Sequence, residues 1–131
     1  MSARFSRPPH VATGQARTNT GAMEIRRLSD APAYDDARFV AVPFAEGRQS
    51  NARLIRLAPG QALPPHTHGD SDLLLYCVEG TATLDTPDGD VTLEAASLAV
   101  LAGTEELRAR NDGADGVTLL AFLAPPFPPR D

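Results

Sequence analysis

The sequence predicts an all-β domain, an antiparallel sandwich or barrel, and three observations carry that prediction. From Met23 onward the apolar residues fall in short runs, too brief for a helix with a buried face and far too brief to span a bilayer. Turn chemistry separates the runs: Ala58-Pro59-Gly60, Pro64-Pro65, Pro87-Asp88-Gly89-Asp90 and Asn111-Asp112-Gly113. Several runs alternate polar and apolar residues, the mark of a strand with one face buried.

In chain order, residues 1–21 are polar, broken by Pro8-Pro9, Gly14 and Gly21, and read as a flexible N-terminal arm. The barrel domain is expected over residues 22–124. Within it MEIRRL, RFVAVPF, ARLIRL, DLLLYCV, TATLD, DVTLEA, SLAVL, ELRAR and VTLLAFLA each predict a strand. The segment PDGD between TATLD and DVTLEA predicts a hairpin. Helix is expected at most near Ala31–Asp36 or in the arm. Residues 125–131, PPFPPRD, form a Pro-rich tail that cannot pair as a central strand and should wrap the surface.

Composition narrows the function. The 131-residue chain has a hydrophobic fraction of 42% and a net charge of −5, and all 12 of its basic residues are arginines. Without lysine there can be no lysine Schiff base and no P-loop lysine. Arg4, Arg7 and Arg17 make the first 20 residues basic, so the rest of the chain is more acidic than the total. That balance argues against a nucleic-acid face. A single cysteine, Cys77, forms no internal disulfide, which fits a reducing, cytoplasmic location. No secretory or membrane-spanning segment is read, so no membrane partner is expected. RFVAVPF is more apolar than a solvated edge strand tolerates, which predicts a homodimer built on Glu24–Leu28 or Arg38–Phe44.

The chemistry concentrates at His66 and His68, two positions apart and hence on one face of an extended segment. Gly60, these two histidines and Gly80 fall on the spacing G-x5-H-x-H-x4-E-x6-G. In this the chain resembles the cupin superfamily of small jelly-roll barrels. A second cupin motif, G-x5-P-x-G-x2-H-x3-N, falls on Ala96 to Asn111, where only Asn111 keeps the family residue; Ala96, Ala102, Thr104 and Leu107 take the other marked places. The resemblance spans about residues 50–124 and implies an antiparallel jelly-roll β-barrel. It also implies a metal held by both histidines, the first-motif glutamate and the second-motif histidine. Those last two positions are Leu73 and Leu107 here.

Neighbouring acids do not replace them. Alternation puts Leu107 and Ala109 on one face of ELRAR, with Glu106, Arg108 and Arg110 on the other; Asp72 likewise opposes Leu73, Leu75 and Cys77. A one-residue slip would bury several charges. The expectation is a two-histidine centre that holds a divalent transition metal (Zn, Fe, Ni or Mn) weakly or not at all. The same barrel would bind a small organic molecule, its pocket formed by Leu73, Leu75, Cys77, Leu107, Asn111 and Arg53. Cys77 should be a buried inert thiol and Tyr76 should face the opposite way. β-Alternation in ARLIRL sends either Arg53 or Arg56 inward, and an inward arginine would favour a carboxylate or phosphate. The competing reading is a metal-dependent cupin enzyme, a dioxygenase, isomerase or cyclase, with His66 and His68 as ligands.

Overall fold

The computed structural model describes residues 23–129, so the expectation for residues 1–21 lies outside the described residues. The chain divides into two compact units at Ala31/Pro32. In the described part of the first, Leu28–Asp30 make one 3₁₀ turn and Arg26 pairs with Glu24 at 2.9 Å. MEIRRL is therefore not a strand. Met23 and Ile25 stand largely exposed, and an alternating run with no ladder partner has nothing to hold it extended. No helix forms over residues 31–36 either.

Among the described residues the second unit holds eight strands: β1 (Val40–Glu46), β2 (Asn51–Leu57), β3 (Asp72–Glu79), β4 (Thr81–Thr86), β5 (Gly89–Glu94), β6 (Ser97–Leu101), β7 (Ala109–Arg110) and β8 (Val117–Ala124). They form a five-stranded sheet in the order β1-β2-β8-β3-β6 and a three-stranded sheet in the order β5-β4-β7. Every pairing is antiparallel. Strands neighbouring in space but distant in sequence, such as β8 between β2 and β3, give the jelly-roll connectivity the motif implied.

Alternation fixes the faces. Leu73, Leu75 and Cys77 of β3, with Leu119, Ala121 and Leu123 of β8, point into the core with Leu57 and Ile55. Outward, Leu74 stands between Phe122 and Val100 in register, a row of apolar side chains on the outer face of the larger sheet. Pro43 sits in the edge strand β1, where its missing N–H breaks little, and the β1–β2 register shifts just beyond it. β4 and β5 join through the expected hairpin, with Gly89 at φ 115°.

Two turns set the frame for the site. Gly80 has φ 80°, and a β-carbon there would lie 2.2 Å from the Gly116 carbonyl oxygen, so only glycine closes the β3–β4 turn. Ala96 turns the chain between β5 and β6 at φ 67°, bonding back through its N–H to the Cys77 carbonyl. This is the place where the second cupin motif has glycine: the conformation is kept without the residue suited to it.

A two-histidine cavity at the barrel mouth

His66 reaches the barrel mouth on an irregular segment that adds itself to the smaller sheet. Its backbone exchanges two hydrogen bonds with Leu107, and Leu63 donates to Ala109. The segment thus runs beside ELRAR as an irregular, antiparallel neighbour, and ELRAR itself is regular only at Ala109–Arg110. His68 is fixed one step further along: its N–H donates to the Gly103 carbonyl and its own carbonyl accepts from Ser71. A β-carbon on Gly103 would sit 2.1 Å from the Gly69 carbonyl oxygen, so the histidine loop can lie this close only against glycine.

The two imidazoles meet edge to face with centroids 4.5 Å apart. His66 Nδ1 lies 2.9 Å from the Pro64 carbonyl oxygen. A carbonyl can only accept, so Nδ1 donates the proton and Nε2 is left as the acceptor of the neutral ring. His68 is 3% exposed, and among the described residues no group hydrogen-bonds its Nδ1. Burial, and then the neighbouring His66, push the His68 pKa down, which keeps this ring neutral near physiological pH. Phe127 packs edge-on against it with centroids 5.3 Å apart.

Both histidines open into a cavity of about 370 Å³. Its floor is the inner face of the larger sheet: Ala41 of β1, Arg53 and Ile55 of β2, Ala121 and Leu123 of β8. Leu63 and Leu107 wall the opposite side, and Phe39, Phe127 and Pro128 close over it. The tail is held there by a reciprocal clamp, Asn51 Nδ2 donating to the Phe127 carbonyl (2.8 Å) and Phe127 N–H donating to Asn51 Oδ1 (2.9 Å). Ser71 Oγ adds a bond to the Pro125 carbonyl. A second, wider groove of about 760 Å³ runs past Val91, Val100, Asp85 and Glu105. It holds no imidazole, and its Arg108 is already paired with Glu106 at 2.8 Å, so the smaller cavity is the stronger candidate.

Four of the expected residues, His66, His68, Leu107 and Arg53, share this cavity. β2 alternation resolves the choice between arginines: Arg53 faces inward beside Ile55. Arg56 faces out, donating to the Thr118 hydroxyl and the Pro32 carbonyl. Leu73, Leu75 and Cys77 are fully buried in the core instead of lining the cavity. The Cys77 thiol lies 3.4 Å from the Glu79 and Gly80 carbonyls, and burial pushes its pKa up. Asn111 lies apart from the cavity as well. Its Nδ2 donates to the Leu57 and Asp115 carbonyls and its Oδ1 accepts from Gly113 N–H, which locks a loop. Sequence reasoning missed Phe39, Leu63 and Phe127. Phe127 left a signal, an aromatic alone in a proline-rich tail; the other two left none.

Among the described residues no three His, Cys, Asp or Glu side chains come together to hold a metal ion. Leu73 and Leu107, where the family's remaining ligands would stand, are 0% and 2% exposed and apolar. Glu106 and Asp72 are exposed on the opposite faces. Tight zinc and iron sites draw three or four ligands from the protein, and this donor set does not fit one.

No protein-family model and no curated protein matches the sequence. Solved structures do. A Thermus thermophilus protein superposes with a TM-score of 0.72 at 27% identity, over 79% of this chain and 99% of that one. An RmlC-like cupin protein from Desulfovibrio desulfuricans gives 0.71 at 23% identity, over 81% and 100%. An RmlC-like cupin family protein with a double-stranded β-helix fold from Methanocaldococcus jannaschii gives 0.65 at 15% identity, over 79% and 91%.

Proposed function

We propose that this chain, a small cupin by its fold, binds a small and largely apolar organic molecule at the barrel mouth, with His66 and His68 orienting the molecule's polar end. The observation that supports the reading best is the pair of imidazoles, His66 and His68, in the wall of a cavity whose other lining side chains are apolar except for Arg53. Burying about 200 Å² of a ligand's apolar surface contributes roughly 5 kcal/mol, enough for millimolar affinity before any hydrogen bond is counted.

A second reading, a divalent-metal enzyme, draws support from the same imidazole pair. Anchoring of His66 Nδ1 on a carbonyl is how metal-binding histidines are oriented. A thermal-shift screen of small acids, phenols and sugars, run once with chelator and once with zinc, iron, nickel or manganese, separates the two. Stabilisation by an organic compound under chelator is the expected result. Hits confined to the metal-loaded arm, or stoichiometric metal surviving a chelator wash, would overturn the binding reading. The reading includes a cytoplasmic homodimer. The sequence pointed to Glu24–Leu28 or Arg38–Phe44 for the contact; Phe39 and Ala41 of that run pack against the chain's own core, and it is the exposed apolar row Phe122, Leu74 and Val100 that supports self-association; light scattering showing a strict monomer at high concentration would remove it.

A further inference from the structure

Arg53 stands on the inward face of β2, in register with Pro43 on one side and Ala121 on the other, and lines the same cavity as the histidines. Its guanidinium has one long bond, Nη2 to the Ala41 carbonyl at 3.4 Å. Among the described residues no carboxylate comes within ion-pair distance of it, whereas Arg26, Arg108 and Arg110 each have an acid within 3 Å. A guanidinium does not shed its proton, so this half-buried charge is unbalanced among the described residues. Its planar fork of donors matches two carboxylate oxygens.

The imidazoles specify the other end. With Nδ1 of the neutral His66 ring donating to Pro64, Nε2 is an acceptor, which takes a hydroxyl and rejects a ketone or ether oxygen. The walls between are apolar, and 370 Å³ suits a ligand of about a dozen non-hydrogen atoms, at a water's share of roughly 30 Å³ each. We infer that the cavity is built for a small hydroxy-carboxylic acid with an apolar body, its carboxylate on Arg53 and its hydroxyl on His66. The inference rests on the binding reading above and narrows it to one chemical class. A phosphate monoester fits less well, because a dianion with three oxygens would meet a single guanidinium in an apolar pocket.

The test uses matched probes on the full chain, followed by ¹H–¹⁵N NMR titration at fixed ionic strength. The probes are 4-hydroxybenzoate and 6-hydroxyhexanoate, the primary amide of each, benzoate, and phenyl phosphate. At least one hydroxy acid should bind about tenfold or more tighter than its own amide, and 4-hydroxybenzoate tighter than benzoate. Arg53→Gln should abolish the preference, leaving that acid and its amide within about twofold of each other. Arg53→Lys, which keeps the charge but not the fork, should retain part of the preference, and it decides the matter if the glutamine variant misfolds. Amides binding as tightly as acids, or phenyl phosphate outbinding every carboxylate, would overturn the inference while leaving cavity binding intact. If no probe shifts the resonances of His66, His68 and Arg53, the binding reading falls with it.

Discussion

Replacing Asn111 with alanine removes three hydrogen bonds at once from a side chain that is 1% exposed. Nδ2 donates to the Leu57 carbonyl at 2.9 Å and to the Asp115 carbonyl at 2.8 Å, and Oδ1 accepts from Gly113 N–H at 2.9 Å. Each such bond has a net worth of about 1 kcal/mol, and the Leu57 carbonyl is left buried without its partner, so a loss of about 3–4 kcal/mol is expected. That is a large share of the roughly 5–15 kcal/mol by which domains are stable. Asn111→Asp keeps the acceptor for Gly113 but faces both carbonyls with oxygen. It should lose at least as much at pH 7 and recover part of it in acid, where the carboxyl takes up a proton. The sign follows from burial: the carboxyl's folded pKa is raised, so its protonated form is the stable one and the deficit grows as pH rises. Urea unfolding followed by circular dichroism reads both variants. Binding of the best cavity probe, measured on folded protein, should stay within about twofold, since Asn111 lies outside the cavity. A stability loss under about 1 kcal/mol would refute the hydrogen-bond argument. Normal stability with binding abolished would put Asn111 back into the ligand site.

Ala96→Gly should stabilise the protein by about 1 kcal/mol, because φ 67° strains alanine and not glycine; a loss in urea unfolding would contradict the strain. Phe127→Ala should weaken every cavity ligand about tenfold or more by opening the mouth beside His68, with unfolding stability reduced by no more than about 2–3 kcal/mol; unchanged affinity would mean the tail is not part of the site. The Tyr34 hydroxyl donates to Glu79 and lies 2.6 Å from the Thr118 hydroxyl, and burial followed by Glu79 raises its pKa above 10. A raised folded pKa favours the protonated phenol, so its contribution is complete below pH 10 and fades as pH climbs through the folded value. Tyr34→Phe should cost about 1–2 kcal/mol at pH 7 and remove that alkaline loss; an identical alkaline decline in both proteins would sink the assignment.

What could be read in the sequence, and what could not, follows from the range of the forces involved. Eight strands lie where short runs and turn residues put them, because period-two burial and turn geometry are local properties. Leu107 inward and Glu106 outward followed from the same rule, as did one inward arginine on β2. MEIRRL shows where the rule stops: alternation licenses a strand, but a ladder needs a partner, and no local pattern reports one. ELRAR fails more gently, bridging at Leu107 and pairing regularly only at Ala109–Arg110.

The cavity shows the same limit at the level of the site. Alternation correctly sent Leu73, Leu75 and Cys77 inward, yet inward in a barrel means either packed core or open cavity, and period two does not tell them apart. What decides is the third dimension. At the β3 level side chains from both sheets meet and fill the space, so those three are core. Nearer the mouth, Ala41 and Ala121 are too small to fill the space below the histidine segment, and room is left above Arg53 and Ile55. The lid comes from still further away, since Asn51 at the start of β2 clamps Phe127 across 76 residues. Arg53 therefore acquires its meaning only in the fold. In sequence it is one of two arginines in an alternating strand. In the barrel it is a charge without a counter-ion among the described residues, placed where two small side chains leave room for a ligand to bring one.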